Sequence, residues 1–152
     1  MLSTLDLERR GGYSLEKRKL STMNKAGRII FLLLIGMFFL SVLLQIFFAG
    51  LAIFVNPTHW MAHKSFVHLF GFNIPVFLLL LAYIGKLPKW AYGYVFCLML
   101  GVFTMYFTAN FTNIIRCVGA FHPVFAIFLL FISYLTLKKT IVLVFREKKG
   151  EV

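Results

Sequence analysis

Four apolar runs, each long enough to cross a bilayer, occupy most of this chain and leave it few ways to fold. Residues 29–54, 65–84, 90–109 and 120–137 contain no Asp or Glu. Runs of about 18 or more apolar residues are read as membrane spans rather than core helices. At about 1.5 Å of rise per residue, roughly 18 to 26 residues cover a hydrocarbon layer of about 30 Å, given some tilt or flanking anchors. Composition agrees: 61% of the chain is hydrophobic and 14% charged, against about 45–50% apolar in a soluble domain. The connections at 55–64, 85–89 and 110–119 are short, so successive spans should run antiparallel. The expected fold class is all-α, an integral membrane up-down four-helix bundle.

Positive charge sets the expected orientation. Arg9, Arg10, Lys17, Arg18, Lys19, Lys25 and Arg28 precede the first span, Lys86 and Lys89 fill the middle turn, and Lys138, Lys139, Arg146, Lys148 and Lys149 follow the last. The other two connections carry only Lys64 and Arg116. By the positive-inside rule both termini and the middle turn are cytoplasmic and the connections at 55–64 and 110–119 face outward, so the plasma membrane is the expected location. The net charge of +11 is mainly a topology signal, with some attraction to anionic headgroups. It does not point to nucleic acid, because no basic residue sits on a folded polar surface among aromatics.

The chain then divides into a basic polar tail, 1–28, a four-span domain, 29–139, and a C-terminal tail, 140–152. The first tail mixes both charges, carries Gly11-Gly12 and lacks a face to bury, so a mobile or interfacial segment is expected. It is no secretory signal, since the following apolar run exceeds an h-region of about 7–15 residues and no small-x-small cleavage site closes it. Met23 precedes a short basic leader, where translation could also start. Between the basic clusters, Thr140 to Phe145 is apolar, so the last helix is expected to reach into the interface.

Several chemistries are excluded. Cys97 lies mid-span and Cys117 in an outer connection, too far apart in depth for a disulfide; Cys97 reads as small buried filler. There is no hydrolytic triad, no phosphate loop and no intramembrane carboxylate of the kind proton-coupled transporters and cation channels use.

What is polar within the spans is therefore informative. At 100° per residue, Ser41, Gln45 and Ala49 share a stripe on span one. His68, Gly71 and Pro75 share one on span two, Pro75 as a kink. Gly93, Cys97, Gly101 and Met105 share one on span three beside Thr104 and Thr108. His122, Ala126, Leu129 and Ser133 share one on span four. Such small residues at four-residue spacing are first of all helix contact faces in a membrane.

The histidines ask for more. Three of the four lie in residues 59–71, HWMAHKSFVHLFG. His59 and His63 precede the second span and read as wet, with no carboxylate near to complete a metal shell. His68 and His122 each fall a few residues below the outer end of a span, at similar depth. Spans two and four are diagonal in an up-down bundle. With neighbouring axes about 8–10 Å apart, the diagonal leaves more room than a packed pair. Two imidazoles across that gap, with Gly71 and Ala126 making space, are what a bis-histidine haem b requires. Gln45 and the Thr104/Thr108 side of span three would be the polar groups of its pocket. The competing reading is structural: an interfacial His can bond water or headgroups, and His122-Pro123 is a good helix start.

The ordered set Gln45-x-x-x-Ala49-Gly50, His68-x-x-Gly71 and His122-Pro123-x-x-Ala126 resembles a family of small, largely uncharacterised four-span bacterial membrane proteins, over about residues 25–138. More distantly, the paired histidines resemble half of a haem A synthase or a cytochrome b561-type bundle. Those larger proteins keep further histidines and a carboxylate missing here, so haem modification does not follow. The expectation is a haem b protein for electron transfer or haem sensing near the outer face, with His68 and His122 as metal ligands and no bond-making catalysis. One haem cannot carry an electron across the whole bilayer, which implies a quinone or redox partner protein. The alternative is a cofactor-free interaction protein, such as an accessory subunit, immunity factor or regulator, working through lateral contacts, with lipids and other copies of itself as partners.

Overall fold

The computed structural model describes residues 20–112 and 114–148. The first nineteen residues of the expected tail, Asn113 and residues 149–152 lie outside the described residues. Among the described residues every regular element is helical: α1 Thr22–Phe54, a 3-10 turn Pro57–His59, α2 Trp60–Phe70, α3 Asn73–Ile84, α4 Lys89–Phe111, a 3-10 turn Arg116–Phe121 and α5 His122–Lys148. Together α2 and α3 make one crossing, so four helical segments are long and apolar enough to span a membrane. Around the bundle α1 packs on α3 and α5, and α4 packs on the same two, while the diagonal pairs α1/α4 and α3/α5 stay apart. That is the square, up-down order expected from the short connections.

The helices differ from the apolar runs in several places, each for a local reason. Helix α1 starts at Thr22 because Ser21 caps it, its hydroxyl accepting from the Asn24 N–H at 3.2 Å. Residues 22–28, expected in the mobile tail, therefore form two further helical turns. Helix α5 runs on unbroken through Lys138 and Lys139 to Lys148, because those lysines are exposed and leave the buried seam intact. The second crossing is not one helix. It breaks at Gly71-Phe72, since Pro75 has no N–H to give the Gly71 carbonyl and its ring crowds that turn.

The core reads as a heptad seam. Buried positions step by four, three and four residues on α1 (Phe31, Ile35, Phe38, Val42), on α4 (Ala91, Val95, Leu98, Val102) and on α5 (Leu129, Ser133, Thr136, Thr140), the spacing of left-handed bundles. The α5 seam is mostly hydroxylic. Ser133, Thr136 and Thr140 are fully buried, and each hydroxyl donates to a carbonyl three or four residues back at 2.7 Å, so no polar group is left bare in an apolar medium.

Charge closes the end of the bundle where Thr22, the turn before α4 and Lys139 meet. The α3 C-terminus is a Schellman turn, with Leu87 N–H on the Ala82 carbonyl and Lys86 N–H on the Tyr83 carbonyl. The left-handed residue is Lys86, at φ 46°, not the preceding Gly85. Gly85 is reserved for close approach: a Cβ there would meet Leu87 Cδ1 at 2.6 Å, and one on Gly27 would meet Gly85 N at 2.9 Å. Arg28, buried beside this contact, donates from Nε to the Gly85 carbonyl at 2.8 Å and from Nη2 to the Lys86 carbonyl at 3.0 Å. Lys139 on α5 stands over the Trp90 and Tyr94 rings of α4, 5.5 and 4.8 Å from their centres, a cation–π contact at the same end.

Outside this seam the chain is apolar all round. Phe47, Phe54, Phe77, Phe96, Phe103, Phe128 and Phe131 are exposed, so much of the phenylalanine excess forms the outer surface. Cys97 is exposed as well, as is Cys117, and both thiols are free. The expectation that Cys97 is buried filler is therefore corrected: the α4 seam runs through Val95 and Leu98, which turns position 97 outward. The Gly93/Cys97/Gly101 stripe splits for the same reason. A Cβ on Gly101 would meet Leu129 Cδ1 at 2.9 Å, whereas one on Gly93 would meet nothing.

Candidate functional site

The opposite end of the bundle gathers the histidines. Helix α2 begins at Trp60, after Asn56 caps the turn by accepting from the Thr58 N–H at 2.9 Å, so the second crossing starts earlier than position 65. The additional turn carries His63 into the bundle, while Lys64 beside it stays exposed. His63 and Gln45 bind each other twice across α1 and α2: Gln45 Nε2 donates to the His63 carbonyl at 3.1 Å, and His63 Nδ1 lies 3.1 Å from the Gln45 carbonyl. A carbonyl only accepts, so Nδ1 of that ring carries the proton and Nε2 keeps its lone pair.

His122 arrives from the other side. Gly119 lets the 3-10 turn before α5 press onto the end of α4, since a Cβ there would sit 2.6 Å from Thr112 Oγ1. Helix α5 then opens at His122, with Pro123 in its first turn, where a missing N–H leaves nothing unsatisfied. His122 Nδ1 is 3.0 Å from Thr108 Oγ1. The Thr108 hydroxyl already has its own acceptors, the Thr104 carbonyl at 2.9 Å and the Met105 carbonyl at 3.1 Å, so it accepts from His122 Nδ1–H. Both rings are thus held through Nδ1, which leaves Nε2 as the nitrogen these two contacts do not use.

The two rings lie together across the diagonal, centres 6.4 Å apart and planes at 60°, and Trp60 lies edge-on to His63 at 5.5 Å. Gln45 Oε1 is fully buried with no hydrogen-bond partner among the described residues. An unmet acceptor in such a place costs about 1–3 kcal/mol and calls for an ion, a water or a donor from a ligand.

This arrangement changes the expected pair. The ring facing His122 is that of His63, and His68 is not in the cluster. His68 is exposed, with Tyr106 beside it, ring centres 5.7 Å apart and the Tyr106 hydroxyl 3.4 Å from Nδ1. Gly71 does not open space for a flat ring either. The Tyr106 ring covers it, 3.5 Å from where a Cβ would be, and the Tyr106 hydroxyl donates to the Val67 carbonyl at 3.2 Å. Of the other expected residues, Gln45 and Thr108 belong to the cluster. Thr104 enters only through its carbonyl, its own hydroxyl donating to Leu100 at 2.8 Å, and Ala126 is half-buried one helical turn past His122. Sequence reasoning missed His63, Trp60 and Tyr106. The i, i+4 spacing of His59, His63 and Val67 on one helical face was the available signal, obscured by reading Lys64 as the end of the span.

No curated protein and no solved structure matches the chain, so nothing beyond the sequence motifs supports the likeness to haem A synthase or b561-type bundles. Residues 45–113, less than half of the chain, match the model of a family described as of unknown function, DUF6220; the match takes in Gln45, His63 and Thr108 and stops before His122.

Proposed function

We propose that this is a multi-pass membrane protein, with both termini cytoplasmic, that binds one haem b at its outer end through His63 and His122. The carrying observation is the pair of rings 6.4 Å apart. That distance brings one potential imidazole ligand from the second crossing and one from the fourth to the same place, which a haem held between two histidines would need. The surroundings of the rings fit the same role. Metal-binding histidines commonly donate their second N–H to a fixed acceptor, which sets the ring and raises the basicity of the free nitrogen; here the Gln45 carbonyl and Thr108 Oγ1 do so. Haem b held by His63 and His122 would supply electron transfer. The protein side chains hold the two rings beside each other across the diagonal. The reading includes a quinone or redox protein as exchange partner, and haem sensing as the non-catalytic variant of the same site.

The test is an absorption spectrum of the detergent-purified protein after growth with added haem. A Soret band is expected that His63→Ala and His122→Ala each abolish and His68→Ala retains. A colourless wild type, or a band unchanged in His63→Ala, overturns the proposal.

One observation favours the interaction reading beside it. Gly93 and Cys97 form an exposed, shallow notch on α4 with exposed Phe96 and Leu100 alongside, a surface to which another transmembrane helix can approach closely. Oxidative cross-linking of Cys97 in native membranes should then give a dimer that Gly93→Leu prevents. Monomer alone after oxidation excludes contact between copies on this face.

A further inference from the structure

At the basic end, the start of α1, the α3 turn and the start of α4 enclose a cleft of about 520 Å³ lined by Met23, Asn24, Ile84, Lys86, Leu87 and Tyr92 among others. Asn24 is 5% exposed, and its side-chain amide has no hydrogen-bond partner among the described residues, although its backbone N–H is capped by Ser21. An amide without a protein partner at the border of an open cleft is available to donate into it. Lys86 contributes a flexible ammonium from the rim. Its left-handed backbone conformation places it at the tip of the turn. Met23, Ile84 and Leu87 make the remaining wall apolar. Tyr92 faces the same space, its hydroxyl already donating to the Ala82 carbonyl at 3.1 Å.

We propose that this cleft binds the headgroup of an anionic phospholipid, the phosphate between Asn24 Nδ2 and Lys86 Nζ and the glycerol and upper acyl carbons along Met23, Ile84 and Leu87. Charge favours that occupant over a zwitterionic lipid. Lys25, Lys86, Lys89, Lys138 and Lys139 crowd this end with no carboxylate between Lys17 and Arg146. Each basic residue near an anionic surface adds to the attraction. The N-termini of α1 and α4 add their positive ends to the field. Position favours a lipid over a soluble phosphate compound, because the cleft lies where the apolar runs give way to the basic connections. The site is independent of the histidine cluster at the other end.

The test is native mass spectrometry of the full chain in mild detergent, titrated with phosphatidylglycerol and, separately, phosphatidylcholine of the same acyl chains. One phosphatidylglycerol should be retained at least tenfold more tightly than phosphatidylcholine. The double variant Asn24→Ala, Lys86→Gly should lose that preference. Both replacements suit the local backbone, so an unchanged melting temperature or a higher one certifies the fold. Equal retention of the two lipids, or an unaltered phosphatidylglycerol adduct in the double variant, overturns the proposal. So does a specific adduct with inorganic phosphate that the lipid fails to displace, which would assign the cleft to a soluble phosphate ligand.

Discussion

Removing the Arg28 guanidinium separates two meanings of a positive charge at the end of a span. If Arg28 only directs topology, any neighbouring lysine is its equal. The geometry says otherwise, because its Nε and Nη2 satisfy the Gly85 and Lys86 carbonyls at 2.8 and 3.0 Å. Those are carbonyls at the negative end of α3, which helix geometry leaves unpaired. Hydrogen bonds from a charged donor contribute about 1.5–3 kcal/mol each, part of which is offset by the desolvation of the guanidinium, so Arg28→Met should cost about 2–4 kcal/mol. At about 2–4 °C per kcal/mol for a chain of this size, the melting temperature in a fixed detergent should fall by about 5–15 °C. Arg28→Lys should recover part of the loss, because a single ammonium lacks the planar fork that reaches both oxygens. Lys25→Met, an exposed residue with the same change in charge, should stay within about 0.5 kcal/mol. Circular dichroism melts of the three variants decide the matter. Equal melting temperatures for Arg28→Met and Lys25→Met would refute the clamp and return Arg28 to the list of topology signals.

Other consequences follow from the same packing. Lys86→Gly removes a left-handed strain and should raise stability by about 0.5–1 kcal/mol in the same melts. Gly101→Leu drives a side chain into Leu129 and should cost about 1–3 kcal/mol, while Gly93→Leu, with open space around it, should raise the monomer's melting temperature slightly, because it removes a glycine from a helix interior. A membrane-permeant maleimide should label both cysteines in intact vesicles, whereas a charged, water-soluble one should reach Cys117 alone, because Cys97 faces outward from the middle of α4.

The number and order of the helices were legible because the run lengths and short connections leave so few alternatives. The buried seams were much less so. In a soluble helix the polar face marks the outside, but α1, α4 and α5 are apolar on every side, and amphipathic reasoning has nothing to work with. The clue that did survive was the Ser133 register on span four, which continues through Thr136 and Thr140. On span three the small residues misled, since Gly93 and Cys97 face out and the seam is set by Ala91, Val95, Leu98 and Val102. The candidate site was half legible for a similar reason. Gln45, Thr108 and His122 lie where their depth indicated, but the first turn of α2 is held by Asn56 and by Gln45 from another helix. Such a tertiary bond is invisible in the local sequence, where depth alone points to His68 and leaves His63 ahead of the span.

The interruption at Gly71-Phe72 gives the second crossing a waist. Below it α3 is fixed by the Arg28 contact and the tight Gly27–Gly85 approach; above it α2, 11 residues and about 16 Å long, is tied to α1 by the Gln45–His63 bonds and the Phe48–Phe66 ring contact. The two halves of that crossing are thus held by separate sets of bonds, α2 at the histidine end and α3 at the charged end, with Tyr106 of α4 bracing the break between them.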